Sequence, residues 1–265
     1  MKNNSSKSYF VLLLLLSYIF SFFLQANEMR KKIIISSYIK GINLAQAYGE
    51  IVFDKEVFSL KLEANTVGIF SLLSNWSQTI LSEGNYRDKK LVSKIYKSDD
   101  SRGNKNGHMY IDYSYEIPKI ISAQPDPRKD DRREKIKNID LYKTMDPFAG
   151  IVNIGIGGNC KPSIEIFDGK RKYIIKTEKI NKDKIIADSF FEDDFQALKC
   201  KFYIQKVAGY TNKEKGRYPS EGFIWIRKFK DYKTYFPVKI MIDTKWGSFI
   251  SLIKERRNTS ESNSL

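Results

Sequence analysis

Histidine and cysteine are scarce in this chain of 265 residues, which has one histidine, His108, and two cysteines, Cys160 and Cys200. A Ser–His–Asp or Cys–His catalytic set requires His108, and no recognisable motif flanks that residue. One histidine and two cysteines also cannot fill a closed zinc site unless carboxylates complete it. We therefore predict no catalytic residue, no metal and no cofactor, and expect His108 to be an ordinary surface or structural side chain.

Motifs for phosphate binding and for paired acids are missing as well. Gly155, Gly157 and Gly158 form a glycine-rich run, but it leads into a predicted hairpin, whereas a phosphate-binding loop follows a strand and opens a helix. Adjacent acids such as Asp99 and Asp100 point to opposite faces of a strand, so they do not converge on a substrate. A glycosidase-type pair of carboxylates from distant segments stays open as an alternative, although no motif identifies its members.

Long apolar runs are absent after residue 24. The run 9–24 follows Lys2 and Lys7 and is followed by Ala26, the small residue that suits cleavage. This pattern predicts a secretory signal peptide over residues 1–26 and a periplasmic or secreted mature protein. The alternative is an uncleaved segment, residues 9–24, that anchors the protein to the inner membrane and is its only membrane contact.

The net charge of +15 does not identify a partner by itself. The lysines are scattered along the outward faces of predicted strands instead of forming one basic block, so we expect no nucleic acid partner. The chain length suits one domain. We place a single β-rich domain at residues 27–254, with a charged, solvated loop at 118–138 and a disordered tail at 255–265.

Alternating apolar and polar residues recur in short segments along the mature chain, which predicts strands. Two of these predicted strands are 109–117 and 185–190. Helical spacing replaces the alternation at 66–76, with Thr66 as N-cap, and Asp146–Pro147 is a typical helix start. The fold class is therefore mainly β, an antiparallel curved sheet or incomplete barrel with two short helices. Pro237 lacks an N–H group and predicts an edge or a bulge in its strand.

A hairpin and the two cysteines dominate the middle of the chain. Asp168–Gly169 favours a two-residue turn that pairs Ile166 with Arg171 and places Ile164, Ile166, Tyr173 and Ile175 on one face. The same alternation points Cys160 and Cys200 inward. In an oxidising compartment we predict that they form a disulfide, and two free buried thiols are the alternative.

These features resemble a family of exported bacterial proteins catalogued as domain of unknown function 3108. The matching residues span nearly the whole mature chain: Gly41, Ala45, Thr66 to Ile69, Trp76, Asp146–Pro147, Cys160, Phe167 to Arg171, Cys200, Phe236 to Val238 and Gly247. No activity comes with that family, so the resemblance implies no catalytic residue. It implies a shape similar to the lipoprotein carriers of the bacterial periplasm, which hold acyl chains in an open half-barrel.

We therefore predict a non-enzymatic exported protein that binds a lipid or another amphipathic component of the cell envelope. Four large side chains could line an apolar cavity or fill the core: Trp76, Tyr173, Trp225 and Trp246. The alternatives are a cell-envelope hydrolase that acts on peptidoglycan or polysaccharide, and an interaction module of an envelope complex.

Overall fold

The computed structural model of the protein describes residues 29–54, 56–217, 219–228 and 234–256. The predicted signal peptide lies outside the described residues, and so does the predicted tail beyond residue 256. The described strands form one sheet of 13 antiparallel strands, which confirms the mainly β class. They are β1 (Met29–Ile39), β2 (Ile42–Asp54), β3 (Val57–Thr66), β4 (Trp76–Arg87), β5 (Lys90–Arg102), β6 (Lys105–Asp112), β7 (Lys119–Gln124), β8 (Ser163–Phe167), β9 (Lys172–Ile185), β10 (Phe195–Ala208), β11 (Glu221–Lys228), β12 (Tyr235–Thr244) and β13 (Gly247–Glu255).

Short helices connect or cover the strands. Within the described residues these are α1 (Ile69–Leu73), α2 (Asn138–Leu141), α3 (Pro147–Asn153) and α4 (Asn212–Arg217), with a 3-10 turn at Pro127–Lys129. None of the helices in this part of the chain combines the length and apolar character that a membrane crossing requires.

The order of strands in the sheet explains its shape. β1 pairs with both β2 and β13, so the first and last strands lie side by side at the centre. Successive strands then run outward to β7 at one edge and β8 at the other. Helix α3 contacts β5, β8 and β12, which are far apart in this order. The sheet therefore curls around α3, as the prediction of a curved sheet requires.

Helix α3 begins where the sequence predicts. Asp146 is its N-cap and Pro147 its first residue, and the Asp146 carboxylate accepts the N–H groups of Phe148 and Ala149, both at 2.9 Å. Further along, the Asn153 amide replaces a missing strand neighbour of β5. It donates to the carbonyl of Leu91 and accepts its N–H, both at 2.8 Å. These bonds attach the helix to the inner face of the sheet.

The two edges of the sheet approach each other without pairing. The Tyr113 hydroxyl donates to the Phe167 carbonyl at the end of β8. A Cβ atom at Gly169 would lie 2.5 Å from the Met109 sulfur, so the β8–β9 turn packs directly on β6. We call the gap between β7 and β8, which residues 125–146 bridge, the seam. The barrel is therefore incomplete.

The disulfide prediction is confirmed. Cys160 and Cys200 are bonded, with their Cα atoms 5.8 Å apart, in the apolar cluster between α3 and strands β8 to β11. The prediction for Pro237 is confirmed too. The β11–β12 pairing shifts at this point, since Trp225 faces Lys239 while Ile226 faces Pro237.

The predicted hairpin register is wrong by two residues. Ile166 pairs with Tyr173 instead of Arg171, and the turn contains four residues, 168–171. The cause is the Asp168 carboxylate, which accepts the N–H groups of Lys170 and Arg171 at 2.8 and 2.7 Å and widens the turn. A shift of two preserves the faces of the strands. Ile164, Ile166 and Ile175 are buried together as predicted.

Three local predictions differ from the structure. Residues 118–138 do not form one solvated loop, because β7 begins at Lys119 and pairs with β6. The strand predicted at 109–117 is β6, which ends at Asp112. The strand predicted at 185–190 is the end of β9, and residues 186–194 form a loop whose Phe190 and Phe191 cover the outer face.

Helix α1 is shorter than predicted and does not pack on the sheet through its apolar side chains. Leu72 and Leu73 are exposed. Gly68 is the N-cap instead of Thr66. The Thr66 hydroxyl donates to the Ser74 carbonyl at 2.8 Å and so closes the connection between β3 and β4.

Candidate functional site

The seam contains a cavity of about 670 Å³. We call it the seam cavity. Three parts of the chain enclose it: the start of β7, the bridging residues 127–141, and the end of β8 with its turn. These parts are distant in sequence and meet only because the sheet curls until its edges approach. The cavity therefore results from the failure of β7 and β8 to pair.

The floor of the seam cavity is apolar. Ile120 comes from β7, Ile136 from the bridging segment, Leu141 from α2 and Phe167 from the end of β8. Leu141 and Phe167 are buried in one cluster with Met109 and Ile111 of β6, so the floor is continuous with the core. A ligand that lies on this floor would remove apolar surface from water, which is favourable by about 25 cal/mol per Å².

Local charge pairs fix the rim of the seam cavity. The Asp126 carboxylate accepts the Arg128 N–H at 3.0 Å and begins the 3-10 turn. The Asp130 carboxylate accepts the Arg132 Nε–H at 2.7 Å. The hydrogen bond from Arg128 lowers the pKa of Asp126, and that from Arg132 lowers the pKa of Asp130, so both acids are ionised at neutral pH.

An ion pair between residues distant in sequence connects the rim of the seam cavity to α4. The Arg133 guanidinium donates to the Gly209 carbonyl and to Glu214 of α4, both at 2.8 Å. A Cβ atom at Gly209 would lie 2.2 Å from the Lys170 carbonyl, so the segment after β10 contacts the β8–β9 turn closely. The charged part of the bridging segment is thus fixed near Asp126 at its start and at Arg133 further along.

A second, smaller pocket lies on the inner face of the sheet. It has a volume of about 130 Å³ and is lined by isoleucine side chains of α3 and of strands β9 to β12, together with Tyr173 and Phe202. Tyr173 belongs to β9, and the turn that precedes it lines the seam cavity. The same hairpin therefore contributes to both cavities.

The structure brings one of the four predicted ligand-binding side chains to a cavity, namely Tyr173. Trp225 lies on the other face of the sheet, with Val238 and Phe195, and its indole N–H donates to Asp183 at 2.8 Å. Trp246 is 62% exposed in the β12–β13 turn. Trp76 begins β4, where its N–H donates to Thr66. The four side chains do not line one cavity, because they belong to three different strands and one exposed turn.

His108 belongs to a cluster on the outer face that the sequence did not indicate. Its Nδ1 lies 2.6 Å from Asp99 Oδ1 and its Nε2 lies 2.7 Å from Ser122 Oγ. Asp99 on β5 is paired with His108 on β6, and Ser122 on β7 lies diagonally from His108, opposite Tyr110. A carboxylate, an imidazole and a hydroxyl in this order also occur in catalytic triads. A polar depression of about 550 Å³ lies beside the cluster.

The His108 cluster is exposed to water. The side chains of His108 and Asp99 are 40% and 64% accessible, respectively. Water screens the interaction between these two groups, so Asp99 polarises the imidazole less than a buried acid would. Within the described residues, no three His, Cys, Asp or Glu side chains are grouped as metal ligands.

These features define a class of protein: a β protein with one disulfide, whose sheet curls around a short helix and leaves a cavity of mixed apolar and charged character at its unpaired edges. The chain belongs to the family described as protein of unknown function (DUF3108), whose model matches residues 35–254. No protein with a curated description matches the chain.

Two solved structures are similar to the chain at low identity. One is the β-barrel-like protein of domain of unknown function DUF1849 from Brucella abortus, with 9% identity, a TM-score of 0.47, and 88% of this chain and 99% of that chain covered. The other is a DUF1329 family protein from Desulfovibrio piger, with 10% identity, a TM-score of 0.20, and 93% and 92% covered. Neither carries a functional argument for this chain.

Proposed function

We propose that the protein binds an amphipathic molecule, such as a lipid of the cell envelope, without changing it chemically, and that the seam cavity is the binding site. The observation that carries the proposal is the cavity of about 670 Å³ with an apolar floor and a charged rim. Sites for small molecules have volumes of roughly 300–1,000 Å³ and combine apolar walls with a few polar groups. An apolar chain would lie on the floor while its head group stays near water at the rim.

The compartment is part of the proposal. We propose that the protein acts in the periplasm or outside the cell, or is held at the inner membrane by residues 9–24. The apolar run after two lysines supports export. The Cys160–Cys200 disulfide supports an oxidising compartment, where such bonds persist. An envelope lipid is therefore a ligand that the protein can meet.

Two neighbouring isoleucines of β7 provide a matched test. Ile120 lines the seam cavity, whereas Ile121 is 52% exposed and does not line it. We expect Ile120→Asp to weaken binding of a fluorescent fatty acid by roughly 10-fold or more, because a carboxylate would be buried against the ligand chain. Ile121→Asp should leave binding unchanged. Fluorescence titration of both variants measures the difference.

Wild-type protein purified from the periplasm should carry a bound amphipathic molecule, seen as a complex by native mass spectrometry or recovered by solvent extraction. Protein that is repeatedly empty and does not take up the fatty acid would contradict the proposal. Equal loss in both isoleucine variants would place the ligand elsewhere on the protein.

A second candidate function is hydrolysis of an ester or amide in envelope material such as peptidoglycan or acylated polysaccharide. The observation that favours it is the Asp99–His108–Ser122 cluster. Ser122 Oγ would attack the carbonyl carbon while His108 Nε2 takes its proton and then passes it to the leaving group. Water would release the acyl group from Ser122. The exposure of Asp99 places this candidate second.

This candidate predicts covalent labelling of Ser122 by a fluorophosphonate probe. Ser122→Ala should abolish the label, because the probe reacts with an activated hydroxyl. Ser101→Ala is the matched control, since Ser101 lines the same depression, whereas His108 bonds to Asp99 and Ser122 in the described part of the chain. Mass spectrometry of the labelled peptide gives the result. Wild-type protein that stays unlabelled would rule out the nucleophilic role.

A further inference from the structure

The side chains around the seam cavity that form no ion pair carry a net positive charge. Five basic and three acidic side chains line it: Lys119, Arg128, Arg133, Lys135 and Lys170, with Asp130, Asp131 and Glu134. Opposite charges that already pair have little remaining attraction for a ligand. The unpaired remainder therefore decides which head group the rim favours.

Both arginines and two of the acids are paired. Arg128 is bonded to Asp126 at 2.8 Å, and Arg133 to Glu214 at 2.8 Å. Asp130 is bonded to Arg132 at 2.7 Å. Glu134 forms an ion pair with Lys215. None of these four pairs depends on a ligand.

Three lysines and one acid are left. Within the described residues, no ion pair is formed by Lys119, Lys135, Lys170 or Asp131. The Lys119 ammonium lies 3.7 Å from the centre of the Tyr115 ring, a contact that leaves its charge unneutralised. The lysines come from β7, the bridging segment and the β8–β9 turn, so they approach the cavity from three sides.

We propose that the seam cavity selects amphipathic molecules with an anionic head group, which Lys119, Lys135 and Lys170 recognise above the apolar floor. This inference rests on the proposed function and adds the charge of the ligand to it. Phosphate and carboxylate heads share the chemistry that ammonium groups bind. Asp131 opposes the same head group.

Three ligands with the same dodecyl chain test the inference: dodecyl phosphate, dodecylphosphocholine and dodecyltrimethylammonium, each below its micelle concentration. Calorimetric titration should give the tightest binding for dodecyl phosphate and the weakest for the cation. Dodecanoate in place of dodecyl phosphate distinguishes a carboxylate head from a phosphate head. The preference should shrink as salt is added, because the rim is exposed to solvent.

Single variants identify the residues. Lys119→Gln, Lys135→Gln and Lys170→Gln should each weaken dodecyl phosphate binding about 2- to 5-fold and leave dodecylphosphocholine unchanged. Asp131→Asn should strengthen dodecyl phosphate binding. Lys105→Gln is the control, since Lys105 is exposed at the start of β6 and does not line the cavity.

The outcomes separate the two proposals. Equal affinity for all three head groups, or lysine variants that weaken all three equally, would overturn the head-group inference and keep the binding site. Absence of binding by every dodecyl ligand would overturn both. Lys170→Glu should abolish the preference between the anionic and cationic ligands, because two unpaired lysines then face two unpaired acids, a result that a change in the apolar floor cannot produce.

Discussion

Replacing Asp146 with alanine is expected to lower the free energy of unfolding by about 3–5 kcal/mol. One carboxylate oxygen accepts the N–H groups of Phe148 and Ala149. The other accepts the hydroxyls of Ser82 on β4 and Ser93 on β5. Alanine would leave these donors buried without partners and would remove the N-cap of α3. Urea unfolding measures the loss.

Asp126→Ala is the matched control. Asp126 also caps a helical turn, through the Arg128 N–H, but its partner Arg128 is exposed to water. Water can satisfy the groups that this change exposes, so we expect a loss of about 1 kcal/mol or less. Similar losses in the two variants would mean that burial of Asp146 contributes nothing beyond the cap.

The same carboxyl group makes stability depend on pH. Burial raises the pKa of Asp146, and the hydrogen bonds that it accepts offset part of this effect. The unfolded chain has a carboxyl pKa of about 3.9. The contribution of the bound proton is therefore complete below pH of about 4 and is lost as pH rises through the higher folded pKa. Asp146→Asn keeps the capping oxygen and cannot titrate.

The unfolding free energy of the wild type relative to Asp146→Asn should therefore fall as pH rises from about 4. Taking the difference between the two proteins removes the contributions of the other titratable groups. A difference that stays flat or increases with pH would contradict a raised pKa. The experiment thus tests the burial of Asp146 independently of the alanine variant.

Features that depend on neighbouring residues were predictable from the sequence. Asp146 and Pro147 are adjacent and together indicate where α3 begins. Pro237 indicates the bulge because it lacks an N–H group. Alternation also placed Cys160 and Cys200 on inward faces, where they are bonded. The helix start and the bulge act through local backbone chemistry, and the alternation acts through the two faces of a strand; the rest of the fold overrides none of them.

Features that depend on strand register were not predictable. The observed strand pairing of the hairpin differs from the predicted pairing by two residues, because the Asp168 side chain accepts two backbone N–H groups of the turn. The cluster around His108 needs three strands in one alignment, and a register shift between Tyr110 and Ile111 is part of it. The seam cavity combines Ile120 with Phe167, which become neighbours only when the sheet has curled.

The contact of the β8–β9 turn with β6 restricts which residues that turn can contain. Gly169 has a φ of +87° and contacts Met109, so a side chain there would meet both a strained backbone and the next wall of the barrel. Asp168 fixes the turn that carries Lys170 to the cavity. The residues that shape the turn therefore also position a proposed ligand contact.

Removing the Cys160–Cys200 disulfide is expected to lower the free energy of unfolding by about 4 kcal/mol in the chain-entropy model. The bond closes a loop with a sequence separation of 40. It joins the segment after α3 to the middle of β10, where Cys200 is fully buried. Urea unfolding of oxidised and reduced protein measures the effect.

Two forms without the bond separate its contributions. Reduced wild type keeps both sulfur atoms, which pack as small apolar groups, so its loss reports the cross-link alone. The variant with Cys160→Ala and Cys200→Ala also leaves a small cavity, and should be less stable than the reduced protein by up to about 1 kcal/mol per missing atom group. A reductant should not change the stability of this variant. If reduction lowered the stability of the wild type by less than about 1 kcal/mol, the unfolded chain would already be compact between these residues, and the entropic account would fail.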